Sequence, residues 1–272
     1  MEYNLPKLPE RPKISNKGTF GKVLNIAGSD YMRGAAYLSS ISALKIGAGY
    51  VELASSEKVL NTISTLAPEI VLANCDKIPI LIESATVISI GCGLSLDPNA
   101  VEIFEKAINL ITNKPLIIDA DGLNILSKKD YKLNKNTILT PHPKEASRLL
   151  NCSLKDILGN PEQTAKNISQ KYKCITVLKT HNTIVTDGKN LYKNTSGCSA
   201  LAKAGSGDIL VGMISGLIAQ GLSPFDAAAL GVYLHGLVGE IAAKDLTEYG
   251  VLASDLVRYI PSAIKYYLHN CA

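Results

Sequence analysis

The chain has 272 residues, 46% apolar and 19% charged, with a formal net charge of +4. That is enough for one large α/β domain with a substantial core or for two small domains, and the scattered basic residues speak against a nucleic-acid-binding surface. No segment reaches the roughly 18 uninterrupted apolar residues of a membrane span.

The mild positive excess is first of all that of an ordinary solvated surface, and it also suits an anionic ligand such as a nucleotide. Cys75, Cys92, Cys152, Cys174, Cys198 and Cys271 form no C-x-x-C pair and no zinc-spaced cluster. Buried thiols in a reducing cytoplasm are expected. The first ten residues are polar and proline-broken, without the apolar stretch of a signal peptide, so a cytoplasmic location is expected.

Short β-branched runs recur along the chain. Val23 to Ala27 ends at Gly28, and Tyr50 to Ala54 follows. Thr86 to Ile90 ends at Gly91-Cys92-Gly93, Pro115 to Ile118 at Asp119-Ala120-Asp121, Thr137 to Leu139 at Thr140-Pro141-His142-Pro143, and Cys174 to Leu178 at Lys179. Each has the length of a buried strand. Amphipathic segments such as Asn99 to Ile111 and Glu145 to Leu150 lie between them, which predicts a parallel sheet covered on both faces. Beyond residue 174 the strands come close together: Thr183 to Asp187 and Asn190 to Asn194 are joined by short polar links, which predicts an antiparallel edge. After Gly205 the chain turns helical. Ser223-Pro224-Phe225-Asp226 reads as a helix start, with the helix running to about Lys244, and Tyr249 to Leu268 closes the fold. No repeat or linker interrupts the pattern, so residues 1–272 are read as a single domain.

Ligands of open parallel sheets bind beyond the carboxyl ends of the strands. The glycine and polar motifs fall there. Gly91-Cys92-Gly93 is either a tight turn or a wall where backbone meets ligand. Asp119 and Asp121 share a face only in regular β geometry, and one of them is free to cap the next turn. His142, between two prolines, is a binding candidate. Glu145 is either a first-turn acid favoured by the helix dipole or a group holding a water on Mg²⁺ beside a polyphosphate. Lys179 either snorkels or meets a nucleotide.

The most informative stretch is Gly205-Ser206-Gly207-Asp208, a glycine turn opening an apolar helix. Free amides at a helix start attract anions, and glycines let backbone approach a phosphate. A carboxylate there repels an anion, unless it takes the proton of a hydroxyl attacking that phosphate. Simple helix capping by Asp208 is the alternative. The chemistry indicated is phosphoryl transfer to an alcohol.

Ala204-Gly205-Ser206-Gly207-Asp208 resembles the anion-hole motif of ribokinase-like kinases. Thr140-Pro141-His142-Pro143-Lys144-Glu145 resembles one branch of that superfamily, the ADP-dependent NAD(P)H-hydrate dehydratases. Lys17-Gly18-Thr19-Phe20-Gly21, Ala27-Gly28-Ser29, Gly34-Ala35-Ala36, Gly47-Ala48-Gly49, Gly91-Cys92-Gly93-Leu94, Asp119-Ala120-Asp121-Gly122-Leu123-Asn124 and Tyr233-Leu234-His235-Gly236 match the branch in order, from about Lys17 to Leu256.

The resemblance implies a three-layer α/β/α sandwich with a mostly parallel central sheet and an antiparallel edge. It implies dehydration of the S-epimer of hydrated NADH or NADPH (NADHX, NADPHX), driven by ADP and Mg²⁺, with release of AMP and phosphate. Asp208 is then the base, with the amides of Gly205, Ser206 and Gly207 around the phosphoryl group. The hydrate is expected to touch Ala36, Gly93, His142 and Asp208, with Asp121 and Asn124 as further candidates on that side. The adenine nucleotide is expected along Lys179, Thr180, His181, Asn182, Thr183 and Gly207, with Glu145 organising Mg²⁺ through water. Thr180 departs from the pattern, where glycine usually follows the lysine. The resemblance also implies a homotetramer, and an epimerase carried by a separate protein because the dehydratase motifs begin almost at once. The rival readings are a small-alcohol kinase of the same fold, of the hydroxyethylthiazole or pyridoxal kinase type, and a non-catalytic nucleotide-binding regulator.

Overall fold

The computed structural model describes residues 3–270. Seven strands run parallel: β1 (Lys22–Ile26), β2 (Tyr50–Ser55), β3 (Val71–Asn74), β4 (Val87–Ile90), β5 (Leu116–Ile118), β6 (Thr137–Leu139) and β7 (Ile175–Leu178). Two more, β8 (Ile184–Thr186) and β9 (Leu191–Lys193), pair antiparallel at one edge. The sheet order is β3-β2-β1-β4-β5-β6-β7-β8-β9. The expected strands are present to within a residue or two. β3 is the addition: its residues are half-exposed at the sheet edge and carry little hydrophobic contrast.

The helices are α1 (Arg33–Lys45), α2 (Glu57–Leu66), α3 (Ile78–Ser84), α4 (Pro98–Leu110), α5 (Asp121–Leu126), α6 (Pro143–Leu150), α7 (Leu154–Gly159), α8 (Pro161–Tyr172), α9 (Ser206–Ala219), α10 (Pro224–Gly250) and α11 (Ala253–Asn270). Strand side chains alternate between faces, and the two cores follow. Val23, Val51, Val87 and Ile117 pack with α1, α2 and α9 to α11. Leu24, Ile88, Leu116 and Ile118 face the opposite way, with α3 to α8. The result is the expected α/β/α sandwich.

The start of α10 is as read: the Ser223 side chain accepts from the Asp226 N–H, with Pro224 at the first helical position. Its regular stretch ends within about two residues of the expected Lys244, because Thr247 (φ 61°, ψ 157°) breaks the helix before a last short turn runs to Gly250. By length and composition α10 could cross a bilayer, but 72% of its apolar window is buried inside the fold, so its apolarity serves the core. α9 is buried along nearly its whole length, so the Met213 to Ile218 segment is core. Gly212 and Gly216 permit this, because a Cβ at either would lie 2.2 to 2.6 Å from atoms of α1 or its C-terminal end.

Among the described cysteines, Cys92 and Cys174 are buried, Cys75 and Cys198 are half-buried, and Cys152 is exposed. The expectation of buried thiols therefore fails at Cys152, which follows the left-handed Asn151 that ends α6. Cys271 lies outside the described residues.

Candidate active site

The parallel register carries the chain ends to one edge. Ile26 pairs with Ile90, Ile90 with Ile118, and Ile118 with Leu139. Backbone bonds continue past the strands: Gly28 N–H donates to Cys92 O at 2.8 Å, Asp119 N–H to Ile90 O at 3.2 Å, and Lys179 N–H to Pro141 O at 2.8 Å. Deeper in the sheet, Asn25 donates to Ser39 and Ser40 of α1 and accepts from Ser89 of β4. These buried bonds hold β1, β4 and α1 in one register. Between β1 and β4 the strand order reverses, which is where open sheets form ligand crevices.

At this edge Asp119 and Asp121 diverge. Ala120 lies between them at φ 50°, a left-handed conformation that is costly for a residue with a Cβ. Asp119 is buried, and its Oδ1 accepts from Lys179 Nζ at 2.6 Å. Asp121 opens α5 and accepts from the Ser95 N–H at 2.8 Å. Asn124 accepts from Arg148 of α6 at 2.8 Å. Asp121 and Asn124 thus hold the walls of the edge together.

His142 caps α6. Its Nδ1 accepts from the N–H groups of Lys144 (3.1 Å) and Glu145 (3.3 Å). A neutral ring that accepts at Nδ1 carries its proton on Nε2. Glu145 Oε2 accepts from the His142 N–H at 2.8 Å, completing a reciprocal cap. The same carboxylate lies 4.0 Å from Lys179 Nζ. Burial pushes the Glu145 carboxyl up to about 7, against the pull of Lys179. Burial also lowers His142, with Lys179 adding to the effect. Burial acts to lower Lys179 too, but Asp119 and Glu145 outweigh it and hold the ammonium above its usual range. Lys179 is therefore a charged group fixed by two carboxylates rather than a snorkelling one.

Gly205 ends the preceding turn at φ 93°, and α9 begins at Ser206. The Ser206 N–H donates to Lys203 O at 3.3 Å, and the Ile209 N–H closes on Gly205 O. Of the expected anion-hole amides, that of Ser206 is therefore engaged in the turn, while Gly207 and Asp208 sit in the first helical turn, whose amides have no partner within the helix. Asp208 does not cap, since the N-cap is Gly205 and no side-chain cap bond is made. Burial raises the Asp208 carboxyl to about 6, and Asp119 adds to the rise. Cys92 Sγ and carboxylate oxygens of Asp119 and Asp208 lie within 4.8 Å of one another.

A cavity of about 830 Å³ opens beside this cluster. His142, Lys179, Thr180, His181, Thr183, Ser206 and Gly207 line it, with the segment from Asn194 to Lys203 and His235 on the far side. This brings the expected nucleotide residues together, except that Asn182 is not among the lining groups. Its carbonyl instead accepts from the Thr180 hydroxyl at 2.9 Å. Thr180 does not adopt positive φ, so threonine stands in place of the usual glycine without backbone strain. Ser206 Oγ meets His235 Nε2 at 3.1 Å. Ala36 and Gly93 are buried. The methyl of Ala36 faces Gly28, and Gly93 abuts Ala35 and Met32. Ala36 thus offers a ligand no exposed side-chain surface here.

Sequence reading placed Asp121 on the substrate side and missed Asp119 as the partner of Lys179, because only the turn at Ala120 separates their directions. The Asn194 to Lys203 wall carries no motif. It joins the cavity through long-range packing alone.

The pattern of the NAD(P)H-hydrate dehydratase family matches residues 23–262. A "Bifunctional NAD(P)H-hydrate repair enzyme Nnr" from Thermofilum pendens is 34% identical over 97% of this chain and 54% of its own length. The chain thus spans about half the length of the curated relatives it matches first. An "ADP-dependent (S)-NAD(P)H-hydrate dehydratase" from Neisseria meningitidis is 35% identical, covering 90% of this chain and 86% of that one. The ADP/ATP-dependent NAD(P)H-hydrate dehydratase of Bacillus subtilis, co-crystallised with ATP/Mg²⁺, superposes with a TM-score of 0.86 at 31% identity, over 96% and 94% of the two chains.

Proposed function

Because the chain belongs to the NAD(P)H-hydrate dehydratase family, we propose that it uses ADP to dehydrate the S-epimer of hydrated NADH or NADPH, yielding NAD(P)H, AMP and phosphate. The observation that carries the reading is Asp208. It is a half-buried carboxylate with its acidity tuned to about 6, set in the first turn of α9 beside the cavity. A nucleotide-binding module has no use for a base beside its anion site.

Hydroxide is a poor leaving group, and phosphorylation cures that. Asp208 takes the proton of the hydrate hydroxyl as its oxygen bonds to the β-phosphorus of ADP. The bond from that phosphorus to the bridging oxygen breaks, and AMP leaves. First-turn amides of α9 and the Lys179 ammonium face the charge that develops on the migrating group. The ring nitrogen then donates electrons to expel phosphate, the neighbouring carbon gives up its proton, and the dihydronicotinamide double bond returns. At pH 7 a carboxyl of about 6 is mostly ionised yet basic enough to take a proton, the compromise general bases require.

The carboxylates of Asp119 and Glu145 are hard oxygen donors of the kind that suits Mg²⁺. Both oxygens of Glu145 lie beside other groups, one accepting from His142 N–H and the other 3.4 Å from its ring. That geometry fits contact through water better than direct ligation. When bound, Mg²⁺ supplies charge neutralisation on the polyphosphate. A homotetramer in the cytoplasm, working with an epimerase, completes the proposal.

The test incubates the protein with hydrated NADH, ADP and Mg²⁺ and follows the return of dihydronicotinamide absorbance. Free phosphate and AMP in equal amounts are expected. A stable phosphoester of the substrate would instead identify a kinase.

A further inference from the structure

Helix α10 serves the core, yet it carries an imidazole near its middle. His235 is 8% exposed, between the buried Leu234 and Gly236. A buried polar ring costs stability unless it is hydrogen-bonded, and an apolar residue of similar shape would serve the core as well. The partner of the ring is Ser206, whose Oγ lies 3.1 Å from His235 Nε2. Both residues line the large cavity. The ring is also held firmly in place. A Cβ at Gly236 would lie 2.0 Å from Ser196 Oγ, so α10 is pressed against the Asn194 to Lys203 wall beside it.

Burial drives the imidazole down to about 4, so at neutral pH the ring is uncharged and carries a single proton. The bond to Ser206 then has two forms. In one, the serine hydroxyl donates to Nε2, and its proton is engaged within the protein. In the other, Nε2–H donates to Oγ, and the hydroxyl proton is free to turn into the cavity. An ionised phosphate oxygen only accepts, so a phosphate beside Ser206 selects the second form. The Ser206 N–H is already held by Lys203 O at 3.3 Å. The hydroxyl is therefore the donor that this residue has left for an anion at the start of α9, two residues from Asp208.

Resting on the dehydratase reading, we propose that His235 is a positioning residue for the nucleotide: its Nε2–H donates to Ser206 Oγ and so directs the Ser206 hydroxyl proton onto an oxygen of the terminal phosphate of ADP. The ring itself does not touch the nucleotide, and its effect passes through Ser206.

Two measurements test this, and neither needs turnover. The first is the nitrogen NMR spectrum of the His235 ring in the unaltered protein saturated with ADP at neutral pH. Its signals are assigned by replacing the other three histidines, His142, His181 and His269, one at a time. A protonated Nε2 beside a bare Nδ1 is expected, and the opposite tautomer overturns the proposal.

The second is a double-mutant cycle read by calorimetric titration with ADP and with AMP, which lacks the terminal phosphate. Ser206→Ala is expected to weaken ADP about tenfold or more, as loss of a hydrogen bond to a charged group does, and to leave AMP within about twofold. His235→Phe keeps a ring and removes the donor, and it is expected to weaken ADP several-fold. Added to Ser206→Ala, it is expected to weaken ADP by less than a further factor of about two. Full additivity overturns the proposal, because the ring would then act on the nucleotide by another route. Equal losses for ADP and AMP overturn it too. If hydrated NADH is not turned over, the dehydratase reading falls, and the positioning role is judged by the tautomer and these titrations alone.

Discussion

Lys179 Nζ and Asp119 Oδ1 meet at 2.6 Å, joining the end of β7 to the end of β5 across the intervening β6. The pair is sheltered, with 21% and 3% of the two side chains exposed. It stands against Gly207, where a Cβ would lie 3.5 Å from Lys179 Nζ and 3.7 Å from Asp119 Oδ2. The cation proposed to meet the nucleotide is thus held in place by a carboxylate at the end of another strand.

Removing one partner strands the other. Lys179→Met leaves Asp119 as an unpaired buried carboxylate, so a loss of about 3 kcal/mol is expected. Thermal unfolding with and without ADP reads both consequences: a lower Tm, and loss of the upward shift that ADP gives the unaltered protein. A variant that keeps the full ADP shift would show that Lys179 does not meet the nucleotide.

Asp208→Asn keeps the shape and removes the base. Turnover is expected to fall by about 10² to 10⁴, with ADP affinity changed little. Stability moves the other way. The Asp208 carboxyl is raised from 3.8 to about 6 on folding, so between those values the native state binds more protons and stability falls as pH rises. At pH 7 the asparagine escapes this cost, and a gain on the order of 2 kcal/mol is expected. Urea unfolding at pH 7 and pH 4 checks the sign, since the gain should shrink at the lower pH.

The same ionisation sets the rate. With saturating ADP, kcat/KM should rise through an acid limb near pH 6 as Asp208 loses its proton. Glu145 is raised to about 7 by burial but belongs to the cap of α6. A limb near 6 should therefore survive in Glu145→Gln. A limb that disappears with Glu145 would transfer the role of base to that residue.

Two glycine substitutions separate binding from folding. Gly207→Ala meets only ordinary contacts at 3.5 Å and beyond. It should leave Tm within a few degrees while raising KM for ADP about tenfold or more, because the methyl fills space the phosphates need. Gly91→Ala must place a Cβ 2.1 Å from Asp119 O at φ 119°. A loss of about 3 kcal/mol or more is expected there from steric overlap and backbone strain together. Equal effects of the two on folding would contradict this division.

Local pattern was sufficient for much of this protein. Apolar runs ending in glycine, aspartate or lysine marked the strands, and Gly205-Ser206-Gly207-Asp208 marked the glycine turn that opens α9, because helix starts and glycine turns obey rules that act over a few residues. Lys179 and Asp208 were legible for the same reason. Tertiary structure alone decided what those residues face. Asp119 rather than Asp121 meets Lys179 because one left-handed residue, Ala120, redirects the chain between them. Glu145 is absorbed into a cap with His142, and the Asn194 to Lys203 segment becomes a cavity wall. The Lys179–Asp119 pair joins residues 60 positions apart and the cavity wall bonds to residues 37 and 43 positions away, and the energies of such contacts depend on packing and burial that no short stretch of chain contains.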